Sequence, residues 1–282
     1  MSISTVGVIG AGTMGNGIAQ VCATSGYSVI LVDVSDAAVE RGLKTLDGNL
    51  GRLVKKGAIS ENDRGDALRR ISGTTDYAQL ACCDLVIEAA TENLEVKKRI
   101  LRQIGETVSS KAIVATNTSS LSVTELAAAT PNPERFVGTH FFNPVPVMAL
   151  VEVIAAIQTD AAIVERVKTF VESISKTCVV AKNRPGFAVN RILCPMINEA
   201  VFALQEGLAS AEDIDEGMKL GCNHPIGPLA LADLIGLDTM LAVMESFYVG
   251  FNDPKYRPAP LLKEMVAAGF LGRKSGRGFF QY

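Results

Sequence analysis

The stretch Val6-Gly-Val-Ile-Gly-Ala-Gly-Thr-Met-Gly-Asn-Gly17 decides the reading of this chain. An apolar run ends in glycines at 10, 12 and 15, and Ile18-Ala-Gln-Val-Cys-Ala23 follows with helix-forming composition. Residues 5–9 are expected to form a buried parallel strand and residues 13–25 a helix. The glycines fall where strand must turn into helix. Gly10 permits the tight bend, Gly12 lets the backbone approach a pyrophosphate, and Gly15 lets helix and strand pack closely. Ala11, Thr13 and Met14 complete the loop. The helix then presents unpaired N–H groups and its positive dipole end to an anion. Gly17 lies outside this pattern; it either allows close helix packing or costs about 1 kcal/mol of helix propensity.

Glycines alone are ordinary turn chemistry, so the context matters. A second apolar run, 28–33, ends in a carboxylate, Asp33, 21 residues beyond Gly12. A dinucleotide fold places there the acid that accepts hydrogen bonds from the adenosine ribose hydroxyls. That charge repels a 2′-phosphate, so the expected cofactor is NAD and not NADP.

Downstream, helices are expected at 36–56, with Ser35 or Asp36 as N-cap, at 60–70, at 92–108 and at 161–175. Strands are expected at 71–75, 84–88, 112–116, 135–142, 149–154 and 177–181. The alternation argues for an α/β, Rossmann-type doubly wound, mostly parallel sheet. The character changes at Lys182-Asn-Arg-Pro-Gly186, after which segments of helical period run at 187–207, 211–220, 227–234, 236–250 and 259–268. The expected domains are residues 1–184, binding dinucleotide, and 185–282, a second all-helical domain of common size.

Bulk properties narrow the class. With 282 residues, 48% hydrophobic and 20% charged, the chain has the makings of an ordinary globular enzyme. A net charge of −3 gives no support for nucleic-acid binding beyond a local basic patch. No apolar run approaches membrane-span length and no signal sequence precedes the first strand, so a cytoplasmic, membrane-free protein is expected. Six cysteines include no C-x-x-C pair, and most lie in apolar segments, which reads as buried reduced thiols. With two histidines and this cysteine spacing, no metal site is expected.

Ligands of open parallel sheets bind beyond the carboxyl ends of the strands. That rule selects Glu88 with the 89–93 loop, Asn117–Ser120 and the His140–Pro146 loop. Alcohol oxidation by hydride loss needs a base for the hydroxyl proton, and imidazole suits the task. His140 ends a strand, whereas His224 sits between helices of the second domain and reads as a turn residue, so His140 is favoured. A base histidine needs an orienting partner. Glu152, between Val151 and Val153 on the returning strand, is placed to supply it and would need such a partner if buried. Arg52, Lys55 and Lys56, taken alone, read as a solvated helix face.

These residues bring a family into view. The whole chain resembles the (S)-3-hydroxyacyl-CoA dehydrogenases, and most closely the single-function bacterial 3-hydroxybutyryl-CoA dehydrogenases. The resemblance runs through Gly-Ala-Gly-Thr-Met-Gly15, Glu88-Ala-Ala-Thr-Glu-Asn93, Asn117-Thr-Ser-Ser120, His140-Phe-Phe-Asn-Pro-Val-Pro-Val-Met148 and Leu150-Val-Glu-Val153. It continues through Pro185-Gly-Phe-Ala-Val-Asn-Arg191, Met218-Lys-Leu-Gly221, Gly227-Pro228 and Leu237-Asp238.

The resemblance implies His140 as general base, with Glu152 holding it, and Ser119 and Asn190 around the reacting end of the substrate. It implies Gly10–Gly15, Asp33, Glu92, Lys97, Asn117, Ser119, Asn143 and Lys274 at NAD, and Lys56 with Arg52 at coenzyme A. Asn49 stands where some relatives place a CoA-contacting serine, and the tail reads Gly-Arg-Lys-Ser-Gly in place of Gly-Lys-Lys-Thr-Gly. The implied activity is reversible oxidation of a short-chain (S)-3-hydroxyacyl-CoA, such as 3-hydroxybutyryl-CoA, to its 3-keto form, by a homodimer. The alternatives are a dehydrogenase of a non-CoA hydroxy acid on the same scaffold, or a non-catalytic nucleotide-binding homologue.

Overall fold

A computed structural model describes residues 3–282. The chain divides into two compact units, Met1–Asn183 and Arg184–Tyr282.

In the first unit, β1 (Thr5–Ile9), α1 (Thr13–Thr24), β2 (Ser28–Val32), α2 (Asp36–Lys55), α3 (Glu61–Arg69) and β3 (Ile71–Thr74) form one wing. The other wing is β4 (Leu85–Glu88), α4 (Leu94–Thr107), β5 (Ile113–Thr116), α5 (Val123–Ala127), β6 (Phe136–Phe141), β7 (Leu150–Ala155), α6 (Ala161–Ser173) and β8 (Thr177–Lys182). They build one eight-stranded sheet in the order β3-β2-β1-β4-β5-β6-β7-β8. Every neighbouring pair is parallel except β6 and β7. The strand order reverses between β1 and β4, the point at which open parallel sheets bind ligands beyond their carboxyl ends.

The reasons are local. Strands covered on both faces read as continuous apolar runs, and Val6, Val8, Leu31, Leu85, Ile87, Ile113 and Ala115 are wholly buried in one core with Ile18 and Leu46. Helix starts are set by side-chain caps: Ser35 accepts from the Ala38 N–H, and Ser60 and Asp63 form a reciprocal capping box. The helix expected at 92–108 begins later because the Asn93 side chain caps it, accepting from the Val96 N–H at 3.0 Å. That leaves Glu92 in the loop before α4. The short α5, starting after the Ser122 cap, has too few turns to show a periodic pattern.

The second unit is helical: α7 (Val189–Gln205), α8 (Ala211–Cys222), α9 (Pro228–Ile235), α10 (Leu237–Phe251) and α11 (Pro260–Ala267). Val201, Leu229, Leu237, Met244 and Phe247 centre its own core. Helices α9 and α10 meet at 98°, with Gly236 at φ +102° making the break. Among the described residues, no single helix is long and apolar enough to cross a membrane. The cysteine expectation holds only partly. Cys22, Cys83 and Cys194 are buried and Cys178 is half-buried, but Cys82 and Cys222 are exposed. Cys82 ends a short turn ahead of β4, and Cys222 ends α8, so neither sits on an inward face.

Candidate active site

The glycine turn meets the demands placed on it. Gly10 has φ +101°, a conformation that disfavours any side chain. A Cβ on Gly15 would run into the Gly10 carbonyl oxygen, whereas one on Gly12 would project into open space. Helix α1 has no side-chain cap and no acid in its first turn. Gly17 turns out to be a packing position, since a Cβ there would come within 2.7 Å of the Val145 Cβ.

Beside the turn lies a cavity of about 540 Å³, lined by Ala11, Gly12, Thr13, Asn16, Asp33 and residues of the 34–45 segment. Asn16 is buried and donates to the Ala11 carbonyl at 2.6 Å, while its side-chain oxygen has no partner among the described residues. Asp33 ends the cavity, its two oxygens accepting from the Ala11 N–H at 2.7 Å and the Val34 N–H at 2.6 Å. An open backbone over Gly12 and uncapped helix N–H groups fit a pyrophosphate-bearing dinucleotide.

At the carboxyl ends of β4–β6 a buried network links the neighbouring strands. Glu88 and Lys97 are both wholly buried and ion-paired. Glu88 also accepts from Thr116 Oγ1 at 2.7 Å and from the Ala90 N–H at 2.9 Å. The Lys97 ammonium donates to Thr116 Oγ1 and, at 3.1 Å, to the Asn117 carbonyl. Its ammonium thus points at Glu88, Thr116 and the Asn117 carbonyl, and this cation fixes the Asn117 loop. Asn117 in turn accepts from the Phe141 N–H at 3.0 Å, next to His140. Burial, with the charges of Glu88 and Asp33 nearby, pushes the Tyr77 phenol up, so it stays neutral.

His140, 6% exposed, and Glu152, 0% exposed, face each other on the antiparallel rung between β6 and β7. Their Nδ1 and Oε2 atoms lie 2.7 Å apart. With Glu152 as a carboxylate, which only accepts, and a neutral imidazole, Nδ1 is the donor and the lone pair lies on Nε2. Phe142 packs tilted against the imidazole, centroids 4.4 Å apart. The following loop holds the exposed Asn143 and is pinned by Lys176, whose ammonium donates to the Val145 and Met148 carbonyls at 2.6 and 2.8 Å. Burial lowers the Lys176 pKa. Glu92 accepts from Thr118 Oγ1 at 2.8 Å and from the Ser119 N–H at 3.0 Å. This fixes the turn that presents the half-buried Ser119.

Of the other expected residues, Arg52 donates to the Asn49 side chain, and the exposed Lys56 is the C-cap residue of α2. A cation there also complements the helix dipole. In the second unit, Asn190 occupies the first turn of α7 and is half-buried. Lys274 pairs with Asp238, lowering that carboxyl's pKa. His224 follows the left-handed Asn223 cap of α8, its N–H directed at the Met218 carbonyl, a turn role. Thr116, Thr118, Lys176 and the Ala38–Thr45 face of α2 escaped the sequence reading. Only the last left a trace there, in its helical spacing.

Comparison with known proteins gives one answer. Residues 5–184 match the family model described as 3-hydroxyacyl-CoA dehydrogenase, NAD binding domain, and residues 186–282 match the 3-hydroxyacyl-CoA dehydrogenase C-terminal domain. A 3-hydroxybutyryl-CoA dehydrogenase of Bradyrhizobium diazoefficiens is 52% identical over 99% of this chain and 96% of its own. One from Clostridioides difficile is 49% identical over 98% of each. The crystal structure of an (S)-3-hydroxybutyryl-CoA dehydrogenase from Ralstonia eutropha has a TM-score of 0.98 at 61% identity, covering 100% of this chain and 99% of that one. The chain belongs to the 3-hydroxyacyl-CoA dehydrogenase family, and it carries that family's NAD-binding and C-terminal domains in order.

Proposed function

We propose that this enzyme catalyses the reversible, NAD-dependent oxidation of (S)-3-hydroxybutyryl-CoA to acetoacetyl-CoA. The observation that carries the reading is the buried His140–Glu152 pair, 2.7 Å apart at the carboxyl end of the sheet. NAD held at the Gly10–Gly15 turn would supply the acceptor for the hydride on C3 of the substrate. His140 Nε2 accepts the C3 hydroxyl proton as that hydride leaves, and returns it to the oxygen in the reductive direction. Glu152 keeps the imidazole in the tautomer with the lone pair on Nε2 and stabilises the cation formed on protonation. Ser119 hydrogen-bonds the reacting oxygen.

On the cofactor side, Gly10–Gly15 receive the pyrophosphate and Asp33 the adenosine ribose. Glu92, Asn117, Ser119 and Asn143 address the nicotinamide half, and Lys97 acts through the Asn117 carbonyl. Lys56, with Arg52 beside it, meets the phosphates of coenzyme A. The exposed apolar side chains Ile192, Leu208, Leu220 and Val249 of the second unit support a homodimer. Six free cysteines agree with a reducing, cytoplasmic setting.

Acetoacetyl-CoA and NADH incubated with the purified chain test the reading. NADH loss matched by 3-hydroxybutyryl-CoA of S configuration supports it. NADH binding without turnover overturns it.

A further inference from the structure

Arg41 stands in the wall of the cavity beside the glycine turn. Two of the side chains lining it are charged, Asp33 and Arg41. Arg41 belongs to the α2 face formed by Ala38, Arg41, Gly42 and Thr45, residues at the i, i+3, i+4 and i+7 spacing that shares one side of a helix. The face is held against the turn at Gly42, where a Cβ would come within 2.7 Å of the Ala11 Cβ. Arg41 itself is exposed, and its carbonyl accepts from Thr45 Oγ1 at 2.8 Å. No ion pair joins it to Asp33 among the described residues. Asp33 is fixed by two backbone N–H groups, so its charge cannot swing away from the ribose position.

We infer that Arg41 is the second half of a coenzyme-specificity switch: a cation in the adenosine-ribose pocket able to clamp a 2′-phosphate, and held in reserve by the carboxylate of Asp33. The inference rests on the reading of this cavity as the adenosine end of the NAD site. Its physical basis is that a planar guanidinium matches phosphate oxygens in a two-pronged hydrogen bond. A carboxylate fixed in the same cavity opposes the same phosphate. Discrimination against NADPH then comes from repulsion by Asp33 and not from want of a phosphate-binding group.

The test is an equilibrium titration of the full chain with adenosine 2′,5′-bisphosphate, run beside adenosine 5′-monophosphate and NADH. Asp33→Asn keeps one acceptor for the turn while removing the charge. It should tighten the bisphosphate by about 10–100-fold, the worth of a charge-assisted hydrogen bond. Arg41→Ala added to Asp33→Asn should remove that gain, and Arg41→Lys should restore part of it. A gain that survives Arg41→Ala overturns the inference while leaving the cofactor site intact. Failure of the wild-type chain to bind NADH or the monophosphate overturns the cofactor reading itself, and this inference with it.

Discussion

His140 and Glu152 sit opposite each other in the one antiparallel strand pair of the sheet, joined at 2.7 Å and both buried. Position along two strands, not a flexible loop, sets the distance between base and orienter. Glu152→Gln preserves size but can donate to Nδ1, which favours the wrong tautomer. A kcat loss of about 10²–10⁴-fold is expected with NADH affinity nearly unchanged. Steady-state kinetics beside an NADH titration check this, and equal losses in both would assign Glu152 a role in folding instead.

The glycines of the first turn separate by what surrounds them. Gly12→Ala points a methyl into open space, so it should weaken NADH binding by on the order of tenfold while costing less than about 1 kcal/mol of stability. Gly15→Ala drives its methyl into the Gly10 carbonyl and should cost about 1–3 kcal/mol or more in addition to binding. Urea melts with parallel titrations distinguish the two.

Much of this was legible in advance for physical reasons. The turn at 10–15, the carboxylate at 33 and the alternation of apolar runs are local patterns, and they produced the sheet, its helices and the His140–Glu152 pairing. The fate of Lys97 was not local. Its burial depends on Glu88 and Thr116 arriving from two other strands, and an amphipathic helix pattern places a lysine on a face without saying what waits there. Arg41 was hidden likewise, because α2 had to be docked at Gly42 before its cavity-lining side existed.

The Lys97–Glu88 pair gives its own expectation. Lys97→Met alone leaves a buried carboxylate and should destabilise by about 3–5 kcal/mol. Adding Glu88→Gln removes the stranded charge and keeps one oxygen to accept from the Ala90 N–H. It turns an amide donor toward Thr116 Oγ1, which can accept in its place, and should recover most of the loss. If the pair fixes the Asn117 loop, the double variant regains stability without regaining the wild-type KM for NADH. Chemical denaturation and initial rates measured on the same preparations decide it.

Thiol chemistry follows burial. Enclosure pushes the Cys22, Cys83 and Cys194 thiols up to about 12, so near neutral pH they lack the thiolate needed for attack. A thiol-specific chromogenic disulfide should modify Cys82 and Cys222 first in the native protein, Cys178 slowly, and the buried three only on unfolding. Mass spectrometry of the modified peptides reports the order.

The central claim, that His140 moves the proton in oxidation of a 3-hydroxyacyl-CoA, is tested most directly by His140→Ala with acetoacetyl-CoA and NADH. The wild-type chain should turn over. The variant should lose about 10²–10⁴-fold in kcat while binding NADH as before. Turnover that survives the substitution, or that falls equally in His224→Ala, would contradict the account.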